Sequence, residues 1–242
     1  MNICLVYLKT ALPHYVEANI SYLRRTFPAE KIWLISDNDS NLEIAKKLGL
    51  NAWKCTNPVL DWEALKNSDL DLKFRDGFYS YALGRFHSLN EFMKIFPSES
   101  VLHIEADVWL APNFPLRKIE KIQEEVAFPL EQKGVAIPST VFIQNSLSMS
   151  RLLSFLTESL SMGRTPIDMF LLPLYREFFP NRVHIFPSAV PLGDGFKLDV
   201  DLFTRNEMCS NFQYYNGIFD SSTWGQYLFG ICLLYTSPSP RD

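Results

Sequence analysis

Residues 79–115 read YSYALGRFHSLNEFMKIFPSESVLHIEADVWLAPNFP, and this stretch carries the clearest prediction of the fold. Apolar side chains recur between Ala82 and Met93 at the three- and four-residue spacing of an amphipathic helix. Pro97 should stop that helix, and the apolar run at 101–104 predicts a buried strand directly after it. The stretch is therefore one helix followed by one strand.

The preceding residues repeat this alternation. The predicted elements are a strand at 3–8, a helix that starts after Pro13, a strand at 32–35, a helix at 42–48 ended by Gly49, and a strand at 51–55. Strands that alternate with helices favour a mostly parallel sheet with right-handed crossovers. Ligands of such sheets bind beyond the carboxyl ends of the strands, so we expect binding residues just after each strand.

The C-terminal half has weaker patterns. We predict a strand at 141–143, a helix at 147–160 and a strand at 183–186. Residues 56–77 have no clear period and are interpreted as a long excursion, whereas 187–217 are rich in Gly, Pro, Asp and Asn and predict irregular loops. No internal repeat is visible, so we expect a single α/β domain over residues 1–230.

The last residues depart from this pattern. LLYTSPSPRD, at 233–242, contains two Ser-Pro steps and resembles the translated read-through of a sequencing adapter. We therefore expect residues 231–242 to be a non-native tail and the natural protein to continue differently.

Composition limits the classes of function. The net charge of -4 argues against a nucleic-acid partner, because such binding needs an excess of Lys and Arg. The N-terminal apolar run is too short for a signal peptide or a transmembrane segment, and the four cysteines form no C-x-x-C pair. These features predict a cytoplasmic globular protein.

Pairs of acids spaced two apart are the candidate metal-binding motif. With 27 Asp and Glu in the chain, about three such pairs are expected by chance, so the spacing alone is weak evidence. The pairs present are Asp37 and Asp39, Asp61 and Glu63, Asp69 and Asp71, Glu105 and Asp107, and Asp199 and Asp201. Position in the predicted fold has to select among them.

Among these pairs, the position of Glu105 and Asp107 is the one that best fits a metal site. They end the predicted strand at 101–104 and precede the apolar Val108-Trp109-Leu110. Carboxylates buried there without a partner would be costly, and Mg²⁺ or Mn²⁺ shared with a ligand diphosphate would remove that cost. The alternative is that the two acids cap the following turn or pair with nearby Arg and Lys.

The quoted stretch resembles the helix, strand and D-x-D segment of nucleotide-sugar glycosyltransferases with the GT-A fold. The resemblance implies a GT-A-like, Rossmann-type, mostly parallel sheet flanked by helices. It also implies that Glu105 and Asp107 bind the metal that bridges the donor's phosphates. One departure is that the first acid is Glu, where the family usually has Asp.

Other site residues follow only from the resemblance. Arg85, on the helix before the strand, matches an Arg that lies near the nucleotide sugar. Tyr7, Lys9 and Asp37 fall where the nucleoside is held, and Asp168 in TPIDMFLL occupies a common active-site acid position. STVFIQN at 139–145 and FDSSTWGQYLFG at 219–230 are also similar to segments of such enzymes.

Ordinary structural roles remain open for the same residues. Arg85 could pair on the surface with Glu91 or Asp76, and Asp168 could cap a helix after Pro166. Asp37 and Asp39 could be turn and N-cap residues. His184, a candidate third metal ligand, lies inside a strand pattern and is better explained as structural.

The expected function is metal-dependent transfer of a sugar from a nucleotide-diphosphate sugar to a hydroxyl acceptor such as a glycan, as in polysaccharide biosynthesis. In this mechanism Arg85 helps to stabilise the leaving diphosphate, and Asp168 acts as acceptor-side acid or general base. One alternative is a sugar-phosphate nucleotidyltransferase, although Lys9-Thr10-Ala11-Leu12 lacks the Gly expected of its phosphate-binding turn. Another is a non-catalytic carbohydrate- or nucleotide-binding remnant.

Overall fold

The computed structural model describes residues 1–56, 62–163, 167–191 and 202–219. Within these ranges the strands are β1 (Asn2–Val6), β2 (Lys31–Ser36), β3 (Asn51–Lys54), β4 (Val101–Ile104), β5 (Val126–Gln132), β6 (Val135–Ala136), β7 (Thr140–Ile143) and β8 (Val183–Phe186). The α-helices are α1 (His14–Thr26), α2 (Asp39–Lys47), α3 (Trp62–Lys66), α4 (Phe78–Ile95), α5 (Leu116–Ile119), α6 (Ser146–Ser161), α7 (Asp168–Phe178), α8 (Leu202–Met208) and α9 (Phe212–Tyr215).

The eight strands form one sheet in the order β3-β2-β1-β4-β7-β5-β6, and β8 pairs with β5. The pairings β1–β2, β1–β4, β2–β3 and β5–β8 are parallel, whereas β7 is antiparallel to both β4 and β5, and β6 is antiparallel to β5. The predicted α/β class with a mostly parallel sheet flanked by helices is confirmed. Strands β1, β2 and β4 lie side by side and end at the same edge, which positions the site described below.

Each face of the sheet buries its own core. Alternate residues point to opposite faces of a strand, so Ile3 and Leu5 of β1 pack with α1 and α2, whereas Cys4 packs on the face covered by α4, α6 and α7. Leu102 and Ile104 of β4 join the first core. Because both faces are covered, the central strands are apolar almost throughout.

Local signals account for the helix boundaries in the N-terminal half. Pro13 precedes α1, and Arg24 and Arg25 occupy its last turn, where cations interact favourably with the helix dipole. Asn38, and neither Asp37 nor Asp39, caps α2, because its side chain accepts a hydrogen bond from the backbone of Ser40.

Several sequence predictions need correction. Residues 56–77 were interpreted as a long excursion without a clear period but contain α3, and 187–217 were expected to be irregular but contain α8 and α9. β5, β6 and α5 were not predicted, and α7 was considered only as a helix that Asp168 could cap. β5 contains Pro129 and α7 contains Pro173, and each proline interrupts the pattern by which a strand or a helix is identified. The predicted tail, 231–242, lies outside the described residues.

Among the described helices, none combines the length and the apolar character needed to cross a membrane.

His103 is a buried polar side chain at the centre of the sheet. It is fully buried on β4, and its Nδ1 donates a hydrogen bond to the Cys4 carbonyl oxygen at 3.1 Å. Burial and the nearby charge of Arg85 lower the pKa of His103 from 6.5 to about 3, although the bond to Cys4 opposes the shift. The folded protein therefore holds a neutral imidazole here.

This burial predicts an acid-sensitive fold. Between pH 6.5 and pH 3 the unfolded chain binds a proton at His103 that the folded chain does not, so stability falls as the pH falls. Because of His103, we expect the free energy of unfolding to be lower at pH 5 than at pH 7 by about 2 kcal/mol. Urea unfolding of wild type and His103→Gln at both pH values measures this difference.

His14 is the control, because its side chain is fully exposed. His14→Gln should leave the pH dependence of the wild type unchanged. Equal pH dependence in wild type and His103→Gln would contradict a neutral, buried His103.

Candidate functional site

Polar side chains collect at the edge of the sheet where β1, β2 and β4 end. Lys9 follows β1, Asp37 follows β2, and Glu105 and Asp107 follow β4. Parallel neighbours end at a common edge, which is where ligands of open α/β sheets bind. The structure thus brings together residues that the sequence placed after three separate strands.

Lys9 and Asp37 connect the end of β1 to the end of β2. The Lys9 backbone N–H donates to Asp37 Oδ1 at 2.8 Å, and the Lys9 ammonium group donates to the Asp76 carbonyl oxygen and lies 5.2 Å from the centre of the Tyr81 ring. Lys9 also has a φ of 75°, a left-handed conformation that is uncommon for residues other than glycine. Such conformations cluster where the surrounding contacts enforce them.

Tyr7 and Tyr15 line the same edge. The Thr10 hydroxyl donates to the Tyr7 hydroxyl at 3.4 Å. Partial burial raises the pKa of Tyr15, and the electrostatic effects of Tyr7 and Asp107 raise it further. Tyr15 was not predicted from the sequence. Its position in the first turn of α1, directly after the β1 loop, is the signal that could have identified it.

Arg85 is the centre of the site. One nitrogen of its guanidinium donates to Glu105 Oε1 and the other terminal nitrogen donates to Asp168 Oδ2. The side chain of Arg85 is 11% exposed and that of Asp168 is 6% exposed. The alternative surface pairing of Arg85 with Glu91 or Asp76 is not what the structure contains.

The charges of this cluster depend on one another. Burial acts to lower the pKa of Arg85, but Asp168 and Glu105 outweigh it, so the net effect raises the pKa and Arg85 stays protonated. Burial raises the pKa of Glu105; Arg85 opposes this increase, and Asp107 adds to it. One guanidinium thus faces two carboxylates, which leaves the cluster with an excess of negative charge.

Asp168 joins this cluster from a distant part of the sequence, 83 positions after Arg85. It is the first residue of α7, and its Oδ1 accepts a hydrogen bond from the Met169 backbone at 3.0 Å. The N-cap position of α7 is Ile167, which makes no side-chain capping bond, so Asp168 is not the cap that the sequence alternative suggested. Asp168 pairs with Arg85 instead. Its two oxygens are both held, so its orientation is fixed.

Asp107 differs from its neighbours in being exposed. In the described part of the chain it has no hydrogen-bond or ion-pair partner, whereas Glu105 is engaged by Arg85 through Oε1. Glu105 thus partly follows the alternative in which an Arg pairs with it. Asp107 remains the acid with an open carboxylate.

The donor set at this edge is compatible with a hard divalent cation. Among the described residues no three His, Cys, Asp or Glu side chains come together as a metal cluster. Mg²⁺ is commonly held by only one or two carboxylates, with substrate phosphates and water as its other ligands. Asp107, with the 37% exposed Glu105 beside it, fits that arrangement.

His184 is held within the fold. It lies on β8, its Nε2 is 3.1 Å from the Tyr215 hydroxyl, and its Nδ1 is 3.6 Å from Glu124 Oε1. Burial lowers the pKa of His184, and Glu124 opposes that shift. These contacts favour the structural role expected from its strand pattern.

A groove also lies between α6 and α7, but at the other end of α7 from Asp168. Phe155, Tyr175 and Phe179 contribute aromatic rings to it, and Arg151 and Arg182 lie beside Glu125. Its distance along α7 separates it from the acids and from Arg85. The charged edge, and not this groove, is therefore the candidate active site.

No family model matches the chain, and no curated protein does. Among solved structures, mouse xyloside xylosyltransferase 1 in its apo form is similar with a TM-score of 0.50 and 11% identity, over 77% of this chain and 86% of that chain. A cytidylyltransferase from Leptospira borgpetersenii serovar Hardjo-bovis has a TM-score of 0.48 and 15% identity, over 98% and 94%. The PaToxG glycosyltransferase has a TM-score of 0.45 and 13% identity, over 74% and 68%.

At 11% identity the likeness to the mouse enzyme is one of fold. The other two structures have lower TM-scores, and nothing about this chain is inferred from them. The predicted GT-A-like arrangement of strands and helices is confirmed.

The Arg85 cluster predicts a large loss of stability when its cation is removed. Arg85→Met leaves the buried Asp168 carboxylate without its partner, and breaking a buried pair in this way costs about 3–5 kcal/mol. Replacing both residues, as Arg85→Met with Asp168→Leu, should recover much of the loss, because the more deeply buried carboxylate is removed together with its cation and the remaining acid, Glu105, is 37% exposed. Urea unfolding of the single and double variants measures both effects.

Lys46→Met is the control, since Lys46 pairs with Glu43 on the surface of α2. Its cost should be below about 1 kcal/mol. An Arg85→Met variant as stable as Lys46→Met would mean that the Arg85 pairings do not form.

Proposed function

We propose that this chain is a GT-A-type glycosyltransferase that moves a sugar from a nucleotide-diphosphate sugar to a hydroxyl acceptor with the help of Mn²⁺ or Mg²⁺. The observation that carries the proposal is the Asp107 carboxylate, which has no partner among the described residues and lies next to the Arg85–Glu105–Asp168 cluster at the edge where β1, β2 and β4 end. The fold, shared with the mouse xylosyltransferase structure, is compatible with it.

The carboxylates define the donor phosphate side of the site. Asp107 would hold the cation, and Glu105 would contribute through Oε2, since Arg85 already binds Oε1. Held there, a divalent cation would supply positive charge to offset that of the departing nucleoside diphosphate. Arg85 is already engaged by two acids, so we assign it the role of orienting Glu105 and Asp168 in place of direct contact with the phosphates.

The nucleoside would lie over the ends of β1 and β2. Tyr7 offers a partly exposed ring, and Asp37 and Lys9 form a fixed polar corner next to it. A carboxylate in this position can accept hydrogen bonds from ribose or base.

Asp168 would act on the acceptor. Its carboxylate accepts the proton of the acceptor hydroxyl while that oxygen attacks the anomeric carbon. The bond between the anomeric carbon and the diphosphate oxygen breaks, and its electron pair leaves with the nucleoside diphosphate. The contacts from Arg85 and the Met169 backbone hold Asp168 in one orientation for this transfer.

A nucleotidyltransferase is the second reaction class to test. It would release pyrophosphate from a nucleoside triphosphate, whereas the proposed reaction releases a nucleoside diphosphate from the donor. The first loop argues against it, because its left-handed position holds Lys9 in place of the glycine expected of a phosphate-binding turn. Incubation with UDP-sugars, GDP-sugars or CTP, followed by chromatography of the nucleotide products, distinguishes the two reactions.

Nucleotide binding tests the proposed site directly. UDP and GDP titrated into the wild type should bind more tightly with Mn²⁺ than with EDTA. Asp107→Asn should reduce the Mn²⁺-dependent affinity by about tenfold or more, and Glu105→Gln should reduce it less, because Arg85 already occupies one of its oxygens. Isothermal titration calorimetry measures these affinities.

Glu91→Gln is the matched control. Glu91 is a surface acid further along α4 that pairs with Lys94, so its removal should leave nucleotide binding unchanged. Wild-type protein that is folded by circular dichroism but binds neither nucleotide would contradict the proposed function and favour a non-catalytic remnant.

A further inference from the structure

Helix α1 holds the acidic loop, residues 105–110, through its polar side chains. The Asn19 side-chain amide donates to the Ala106 carbonyl oxygen at 2.8 Å and to the Val108 carbonyl oxygen at 2.9 Å. One turn further along α1, the Tyr22 hydroxyl donates to the Leu110 carbonyl oxygen at 2.7 Å. Three carbonyl groups of one loop are thus bound by one helix.

These bonds lie on both sides of Asp107. Asn19 binds the carbonyl of the residue before Asp107 and that of the residue after it. Within the loop, the side chains of Ala106 and Leu110 are buried, whereas those of Asp107 and Trp109 are exposed. The bonds therefore hold the loop backbone on α1 and leave the Asp107 side chain exposed.

Other contacts also restrain this part of the chain: Arg85 pairs with Glu105, Leu110 is buried in the core, and the Trp109 ring lies 4.6 Å from that of Tyr22. The loop has no strand partner beyond Glu105, whose backbone N–H donates to the Ser139 carbonyl oxygen at 2.9 Å, and its internal restraint is the turn from Val108 N–H to the Glu105 carbonyl at 3.0 Å. Asn19 is fully buried, and within the described ranges its Oδ1 has no hydrogen-bond partner. The amide thus leaves its own acceptor unsatisfied while both donor bonds are made, which indicates that the loop sets its orientation.

We propose that Asn19, supported by Tyr22, is a positioning residue for Asp107. It holds the loop so that the carboxylate is presented to the cation and the donor diphosphate before they bind. The inference rests on the function proposed above, and it assigns a role in that reaction to a residue that touches neither substrate nor metal. Groups that orient metal ligands through hydrogen bonds commonly change metal affinity by about 10–100-fold when replaced.

The test measures the affinity for UDP in Mn²⁺ and in EDTA. The ratio of the affinity in Mn²⁺ to the affinity in EDTA isolates the part of binding that depends on the metal, and hence on Asp107. Asn19→Ala should lower the ratio for UDP by about tenfold, with little change in the affinity in EDTA. Tyr22→Phe removes one hydroxyl and keeps the ring against Trp109, so it should lower the ratio in the same direction by about two- to threefold.

Asn90→Ala provides the control for a purely structural effect. Asn90 is a buried amide on α4 that accepts a hydrogen bond from Ser150, and it has no contact with the acidic loop. Its loss should lower the melting temperature and leave the ratio unchanged. Asn19→Ala with a wild-type ratio would overturn the inference, and if that variant does not fold, a wild-type ratio in Tyr22→Phe would overturn it.

Hydrogen–deuterium exchange of residues 105–110 separates this inference from the proposed function. Exchange in this loop should be faster in Asn19→Ala than in Asn90→Ala, because only the first variant loses the bonds that hold the loop on α1. The measurement needs no ligand. Unchanged exchange contradicts the positioning role even if wild type binds Mn²⁺ and UDP. A wild type without Mn²⁺-dependent binding overturns the proposed function, and with it the purpose assigned to the loop.

Discussion

The buried guanidinium of Arg85 is the constraint around which the site is built. α4 packs its apolar side against the sheet, and Arg85 lies on that buried side among Leu83, Phe86 and Leu89. A cation in such a place requires anionic partners, because an isolated buried charge is too costly to retain. The end of β4 supplies Glu105 and the start of α7 supplies Asp168, so three separate elements meet at one side chain.

This meeting point also limits what each acid can do. Glu105 and Asp168 are held by Arg85, whereas Asp107 is exposed and has no partner among the described residues. Two acids that are close in sequence therefore have different environments, one partly neutralised by Arg85 and one open to a ligand. A site that combines a fixed carboxylate with an open one is suited to separate acceptor and metal roles, which is the division proposed here.

The rigid parts of the sheet and its helices carry the loops that bear these groups. The β1 loop is held by Lys9 through the Asp37 carboxylate, and the acidic loop is held by Asn19 and Tyr22 of α1. In both cases a polar side chain from one element binds the backbone of another, so the loops are restrained without regular secondary structure. This restraint reduces the reorganisation that ligand binding would require.

Much of this protein could be predicted from the sequence because the relevant signals are local. The apolar run at 101–104 and the helical spacing before it identified β4 and α4, and the strand–helix alternation indicated a mostly parallel sheet with its polar residues at one edge. The strand that contains Pro129 was missed and the helix that contains Pro173 was considered only as an alternative, because a proline breaks the local pattern even where tertiary packing tolerates it. The partners of the candidate site could be decided only by the tertiary structure. Arg85 and Asp168 are 83 positions apart, and Asn19 and Ala106 are 87 apart. No spacing rule relates such residues, because their contact follows from how α1, α4 and α7 pack on the two faces of the sheet.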